Sequence, residues 1–108
     1  MSRNLIVLDE AENELAEAAT WYETQRAGLA REFLLAIEEA LGRLMETPSI
    51  SISPPGVSSD AGARLVFVKR FPYSIVFVEH EGDLWVVAFA HQRRRPGYWR
   101  DRASGLGS

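Results

Sequence analysis

The stretch FAHQRRRPGYWRD, Phe89 to Asp101, gathers the side chains best suited to chemistry. His91, Arg93, Arg94, Arg95 and Tyr98 bring together an imidazole, guanidinium groups and a phenol. Those types suit an anion, above all a phosphate. Metal-free cleavage of a phosphodiester through a neighbouring hydroxyl needs a base, cations for the crowded phosphate and an acid for the leaving oxygen. In that chemistry His91 or Tyr98 moves protons while Arg93 and Arg64 hold the phosphate, because the arginine fork binds two oxygens at once. The plainer alternative is a histidine capping a sheet edge beside arginines of a solvated turn. A docking use stands next to both, with Arg64, Arg70, Arg93, Arg94 and Arg95 accepting an anionic partner.

These cations stand out because the chain as a whole is acidic, with a formal net charge of -3 over 108 residues. Up to Ala63 there are four basic and eleven acidic residues, and from Arg64 onward eight basic and four acidic. Such segregation suits an anionic partner for one face, or two halves that attract each other. Net acidity argues against nonspecific nucleic-acid binding as the main task, since that affinity grows with the number of phosphates neutralised. With no cysteine, disulfides, thiolate nucleophiles and thiolate metal sites are excluded, which fits a reducing compartment. His80 and His91 lie too far apart, without supporting spacing, to make a metal site. The apolar run at Leu5 to Val7 is too short for a signal peptide, and no run is long enough to span a membrane.

The elements that must position these residues are legible from periodicity. Asp9 with Glu12 predicts a capped helix start, and Ala11, Leu15, Ala18 and Tyr22 recur at helical spacing. Gly28 reads as the stop. Phe33, Ile37, Leu41 and Leu44, widened by Leu34, Ala40 and Met45, form a second stripe that Thr47-Pro48 ends. Two helices joined this way make a helical hairpin. Pro48 to Ala63, rich in proline, serine and glycine, reads as a long surface connection. Beyond it RLVFVKRF, YSIVFVEH and DLWVVAFAH read as strands, with a tight hairpin at Glu81-Gly82-Asp83 and a break at Pro72. The third, apolar on both faces, is expected at the centre of the sheet and the other two nearer its edges.

Leu5 to Leu8 adds a further short strand. Lys69 and Arg70 are expected on opposite faces of a strand. Trp21 and Tyr22 are expected in the core, and Trp99 is expected to pin the terminal segment to the sheet. The resulting class is α+β: an N-terminal helical hairpin with a three-stranded antiparallel meander and the short extra strand. One domain covers 5–102, and 103–108 is expected to be a flexible tail.

ELAEAATWYETQRAGLAREFLLAIEEALGRL, followed by VKRFPYSIVFVEHEGDLWVVAFAHQRRRPGYW, resembles the RelE/ParE superfamily of small toxins from bacterial type II toxin–antitoxin modules. The likeness runs from Leu5 to Trp99, and the FPY…AH.RR.P.YW combination is its most specific part. It implies a helical hairpin packed on a small twisted antiparallel sheet, action in the cytoplasm, and no metal or cofactor. It also implies a cognate antitoxin whose disordered segment folds over the toxin, giving a hetero-oligomer.

Two activities occur in that superfamily. RelE-like members cut messenger RNA on the ribosome; ParE-like members inhibit DNA gyrase, as products of plasmid-stabilising modules. KRFPY (Lys69 to Tyr73) and the AH before the arginines resemble the ParE-like branch. The arginine that follows the second-strand tyrosine in the nuclease branch corresponds to Ser74, and its lysines to Leu65 and Phe67. The resemblance therefore implies a gyrase inhibitor. Its alternatives are a ribosome-dependent endoribonuclease using His91, Arg93 and Tyr98, or a nontoxic antitoxin-binding relative. In ParE-like proteins the acidic hairpin engages the target, which makes Glu14, Glu17 and Trp21 candidate contacts. The plain reading is that Glu10, Glu14 and Glu17 keep a helix soluble.

Overall fold

The computed structural model describes residues 3–54 and 62–107. Its elements run β1 (Leu5–Val7), α1 (Asp9–Gln25), α2 (Leu29–Glu46), a 3-10 turn (Pro48–Ile50), β2 (Ala63–Phe67), β3 (Tyr73–His80), β4 (Asp83–His91) and α3 (Arg100–Ser104). A last 3-10 turn covers Gly105–Gly107. Part of the expected surface connection, 55–61, lies outside the described residues.

Both long helices follow their apolar period. Ala11, Ala18 and Tyr22 of α1 are buried, as are Phe33, Ile37, Ala40 and Leu44 of α2. Their caps differ from expectation. Leu8, in extended conformation, precedes α1, and no side chain caps it; Asp9 is already helical and no capping box forms. Asp9, Glu10 and Glu12 instead crowd the first turn, where the positive end of the helix dipole favours them. Gly28, at φ 89°, opens α2; α1 has ended at Gln25. The Glu23 carboxylate reaches across the turn and accepts the amides of Gly28 and Ala30, supplying the cap that α2 lacks locally.

The sheet has four strands in the order β1-β4-β3-β2. β2, β3 and β4 form the expected antiparallel meander, whereas β1 runs parallel to β4, so the sheet is mixed. β4 is central, as its doubly apolar pattern predicts. β3 is central too, which corrects its placement near an edge: Ile75 to Val78 are buried on both faces. The cause is a second covering layer. Helices α1 and α2 cover one face over Ile75, Phe77, Val86 and Phe89, while the C-terminal segment covers the other with Trp99 and Ala103 over Val76, Val78 and Ala88. Trp99, 3% exposed, is the pin that its position predicts. Packed structure continues past residue 102, since Ala103 is buried and Leu106 lies against this second cluster. The tail expected at 103–108 therefore begins inside α3.

The β3–β4 hairpin turns on Glu81 and Gly82, both at positive φ (53° and 84°), with His80 paired to Asp83. Two such residues match the twist of the flanking strands. Further along, the register slips: Phe77 pairs with Val86 and Val76 with Ala88, so Val87 is surplus. This bulge reverses which β4 residues face the helices. Before it Leu84 and Val86 do; after it Phe89 does, and His91 pairs with Tyr73.

Candidate functional site

β4 ends at His91, and the chain leaves through residues 92–99 before α3. The loop is built on the histidine. The amide of Arg94 donates to the His91 carbonyl at 2.9 Å, and the amide of Arg93 donates to His91 Nδ1 at 3.0 Å. That second bond occupies the acceptor nitrogen of the neutral ring and leaves its hydrogen on Nε2. The ring also meets Tyr73 edge-on, with centroids 5.2 Å apart.

Arg93, Arg94 and Arg95 all project into solvent, and among the described residues none of them pairs with a carboxylate. Arg94 lies over the Tyr98 ring, its guanidinium carbon 3.9 Å from the centroid. This loop separates two cavities. The larger, about 280 Å³, sits on the sheet face away from the long helices; Leu65, Phe67, Val76, Ala90 and Trp99 give it an apolar lining. The smaller, about 210 Å³, lies against α1 between Glu17, Trp21, Tyr73 and Phe89. His91, Arg94 and Tyr98 line both.

Beneath the loop, the Glu14 carboxylate joins three parts of the chain. It accepts the Tyr98 phenol at 2.6 Å, the Arg102 guanidinium at 2.9 Å and the Phe89 amide at 3.2 Å. Arg102 also donates to the carbonyl of Val87, the surplus residue of the bulge. These two side chains thus seal the β4 edge beyond the point where β1 stops pairing. Burial, then the Glu14 hydrogen bond and charge, pushes the Tyr98 phenol far above its ordinary value. Burial opposes the Arg102 charge, but the Glu14 hydrogen bond and charge outweigh it and its pKa lies above the usual value.

The sequence candidates divide sharply. His91, Arg93, Arg94, Arg95 and Tyr98 come together at the strand exit. Arg64 does not join them. On β2 it alternates with Ala63 and Leu65, which face the large cavity's side, so it points to the opposite face. There its Nε donates to Ser51 Oγ at 2.7 Å, and its terminal nitrogen to the Ser51 carbonyl. Arg70 is absent from the exit as well. Lys69 and Arg70 lie in the β2–β3 loop and not on a strand, where both turn toward α2: Arg70 meets Glu32 at 2.9 Å and Lys69 meets Glu39 at 3.3 Å.

Glu14, expected at an outward target contact, points inward and is 16% exposed. Glu17 is exposed at the mouth of the smaller cavity. Trp21 is 57% exposed, which overturns its placement in the core; Tyr22 beside it is buried, so only one of two helix neighbours can face inward. Arg102 is the participant that sequence reasoning missed. Its partners Glu14 and Val87 are 88 and 15 residues away, and no local pattern signals them. Ser74, Leu65 and Phe67 line one wall of the larger cavity together, which is therefore without lysine or arginine at these positions. Among the described residues no cluster of three or more His, Asp and Glu could hold a metal ion, and no helix is long and apolar enough to cross a membrane.

In class this is an α+β domain with a helical hairpin across a four-stranded sheet and a cationic strand exit. The family model described as "ParE toxin of type II toxin-antitoxin system, parDE" matches residues 5–96, and the chain belongs to that family. No curated protein sequence matches it. Among solved structures, a chain of the "Chromosomal ParDE TA system from P. aeruginosa" is similar in fold, with a TM-score of 0.70 and 17% identity. The alignment covers 82% of this chain and 95% of that one.

Proposed function

We propose that this ParE-family toxin inhibits DNA gyrase by protein–protein contact in the cytoplasm, and that a cognate antitoxin neutralises it in a hetero-oligomer. The observation that carries the antitoxin half is the cluster Arg93 to Arg95, exposed beside an apolar cavity and, among the described residues, paired with no carboxylate. Apolar side chains flanked by carboxylates would match it in shape and sign. The likeness to a ParDE system supports the same partner. For the gyrase half, support comes from the ParE family match and from α1, whose Trp21 and Glu17 are exposed at the rim of the smaller cavity.

The nuclease reading has one observation in its favour, that His91, Arg94 and Tyr98 line a common cavity. Against it, the acceptor nitrogen of His91 is already used by the Arg93 amide, and the Tyr98 phenol is committed to Glu14. Arg64, the second phosphate ligand of that scheme, is held by Ser51.

Purified protein is expected to block gyrase supercoiling while leaving ribosome-bound mRNA intact. Codon-phased cuts in that mRNA, lost in His91→Ala and Arg93→Ala, would reverse the assignment. Growth that is unaffected by induction without antitoxin would favour the nontoxic relative.

A further inference from the structure

Glu14 lies inside the protein, yet its contacts lead directly to the exposed rim. One oxygen holds the Tyr98 phenol at 2.6 Å, and the Tyr98 ring carries Arg94 at 3.9 Å. The other oxygen holds Arg102 at 2.9 Å, which anchors the segment just after the arginine loop to the bulged strand. Arg94 is in turn a wall of both cavities. We infer that Glu14 is the positioning residue of the arginine rim: it fixes the Tyr98 ring, and the ring fixes Arg94 as the partition between the two cavities. An arginine on an unsupported turn loses rotamer freedom when it binds, and a stacked one has already lost it. The use of this arrangement rests on the docking reading, but its geometry does not.

The test reads the position of Arg94 directly, with no partner present. By NMR of the whole chain, the Tyr98 ring should displace the Arg94 side-chain proton resonances upfield. Tyr98→Phe keeps a ring but loses its anchor, and Glu14→Gln loses the charge that holds both Tyr98 and Arg102. Each is expected to lose half or more of the displacement, and the double variant no more than the larger single loss. A protein that merely needs Glu14 for stability would keep Arg94 in place whenever it remains folded, as judged by the amide resonances of β2 and β3. Full displacement retained in folded Glu14→Gln overturns the inference. Should that variant fail to fold, full displacement retained in Tyr98→Phe overturns it equally. Failure of the docking reading would show as antitoxin binding indifferent to charge at Arg95, with the Arg94 displacement unchanged.

Discussion

Two cationic groups leave the sheet at its two hairpin-distal corners, and they meet different fates. In the β2–β3 loop Lys69 and Arg70 face α2, whose Glu32 and Glu39 are spaced to lie on one side of the helix. Glu32 takes both Arg70 and Arg26 at 2.9 Å, while Glu39 takes Lys69 and Arg43 at 3.3 Å. At the exit of β4, Arg93 to Arg95 project into solvent, and of the three Arg94 lines the cavity against α1. The nearest buried carboxylate there, Glu14, is already committed to Tyr98, Arg102 and Phe89. Charge of one sign therefore becomes a stitched seam at one corner and an anion-accepting surface at the other. Among the described residues, the second group can meet a partner without first breaking an ion pair of its own.

The largest expected effect of breaking that contrast is at Glu14. Glu14→Ala leaves a mostly buried guanidinium, a phenol and a strand amide without their acceptor, and should cost about 3 kcal/mol of stability in urea unfolding. Next comes the double charge reversal Arg94→Glu with Arg95→Glu. It should weaken binding of the cognate antitoxin by about 100-fold, with slower association and a weaker salt dependence in surface-binding kinetics. The matching reversal of Lys69 and Arg70 should leave that affinity within about threefold of the parent.

Smaller still are the titration effects. Tyr98, Tyr22 and Tyr73 are all raised by burial, with Glu14 adding to the shift at Tyr98 and neighbouring charges adding at Tyr73. Their contribution is full below the ordinary tyrosine value of about 10 and fades as pH rises through the raised folded values. Alkaline unfolding should thus track phenolate absorbance, and Tyr98→Phe should reduce the coupling. Glu32 titrates the other way. The Arg70 hydrogen bond, followed by that of Arg26, holds it below the usual carboxylate range. Its contribution is full above about 4.3 and is lost as pH falls through the lowered value, so Arg70→Ala should flatten the acid limb of a denaturation curve.

The hairpin was legible because burial follows the helical period at Phe33, Ile37 and Leu44. β4 was legible because it is apolar on both faces. β3 was misplaced because its second cover comes from Trp99 and Ala103, a layer that strand patterning alone does not predict. At the strand exit, composition marks the segment from His91 to Tyr98, whose candidate side chains the fold does bring together. It could not tell which cations the protein itself neutralises: Arg70 and Glu32 are 38 residues apart, Arg102 and Glu14 88. Residue type alone places Trp21 in the core, yet the neighbouring Tyr22 fills the inward position.

The surplus residue at Val87 reaches beyond its own rung of the ladder. Val87 and Ala88 share one face because of it, so Phe89 turns to the long helices and the imidazole of His91 meets Tyr73. Excising that one residue would leave Val86 next to Ala88 in plain alternation, so Phe89 and His91 would keep their faces while the bulge and the carbonyl that Arg102 grips would be lost. The extra residue thus serves the fastening of the terminal helix and not the facing of the cationic mouth.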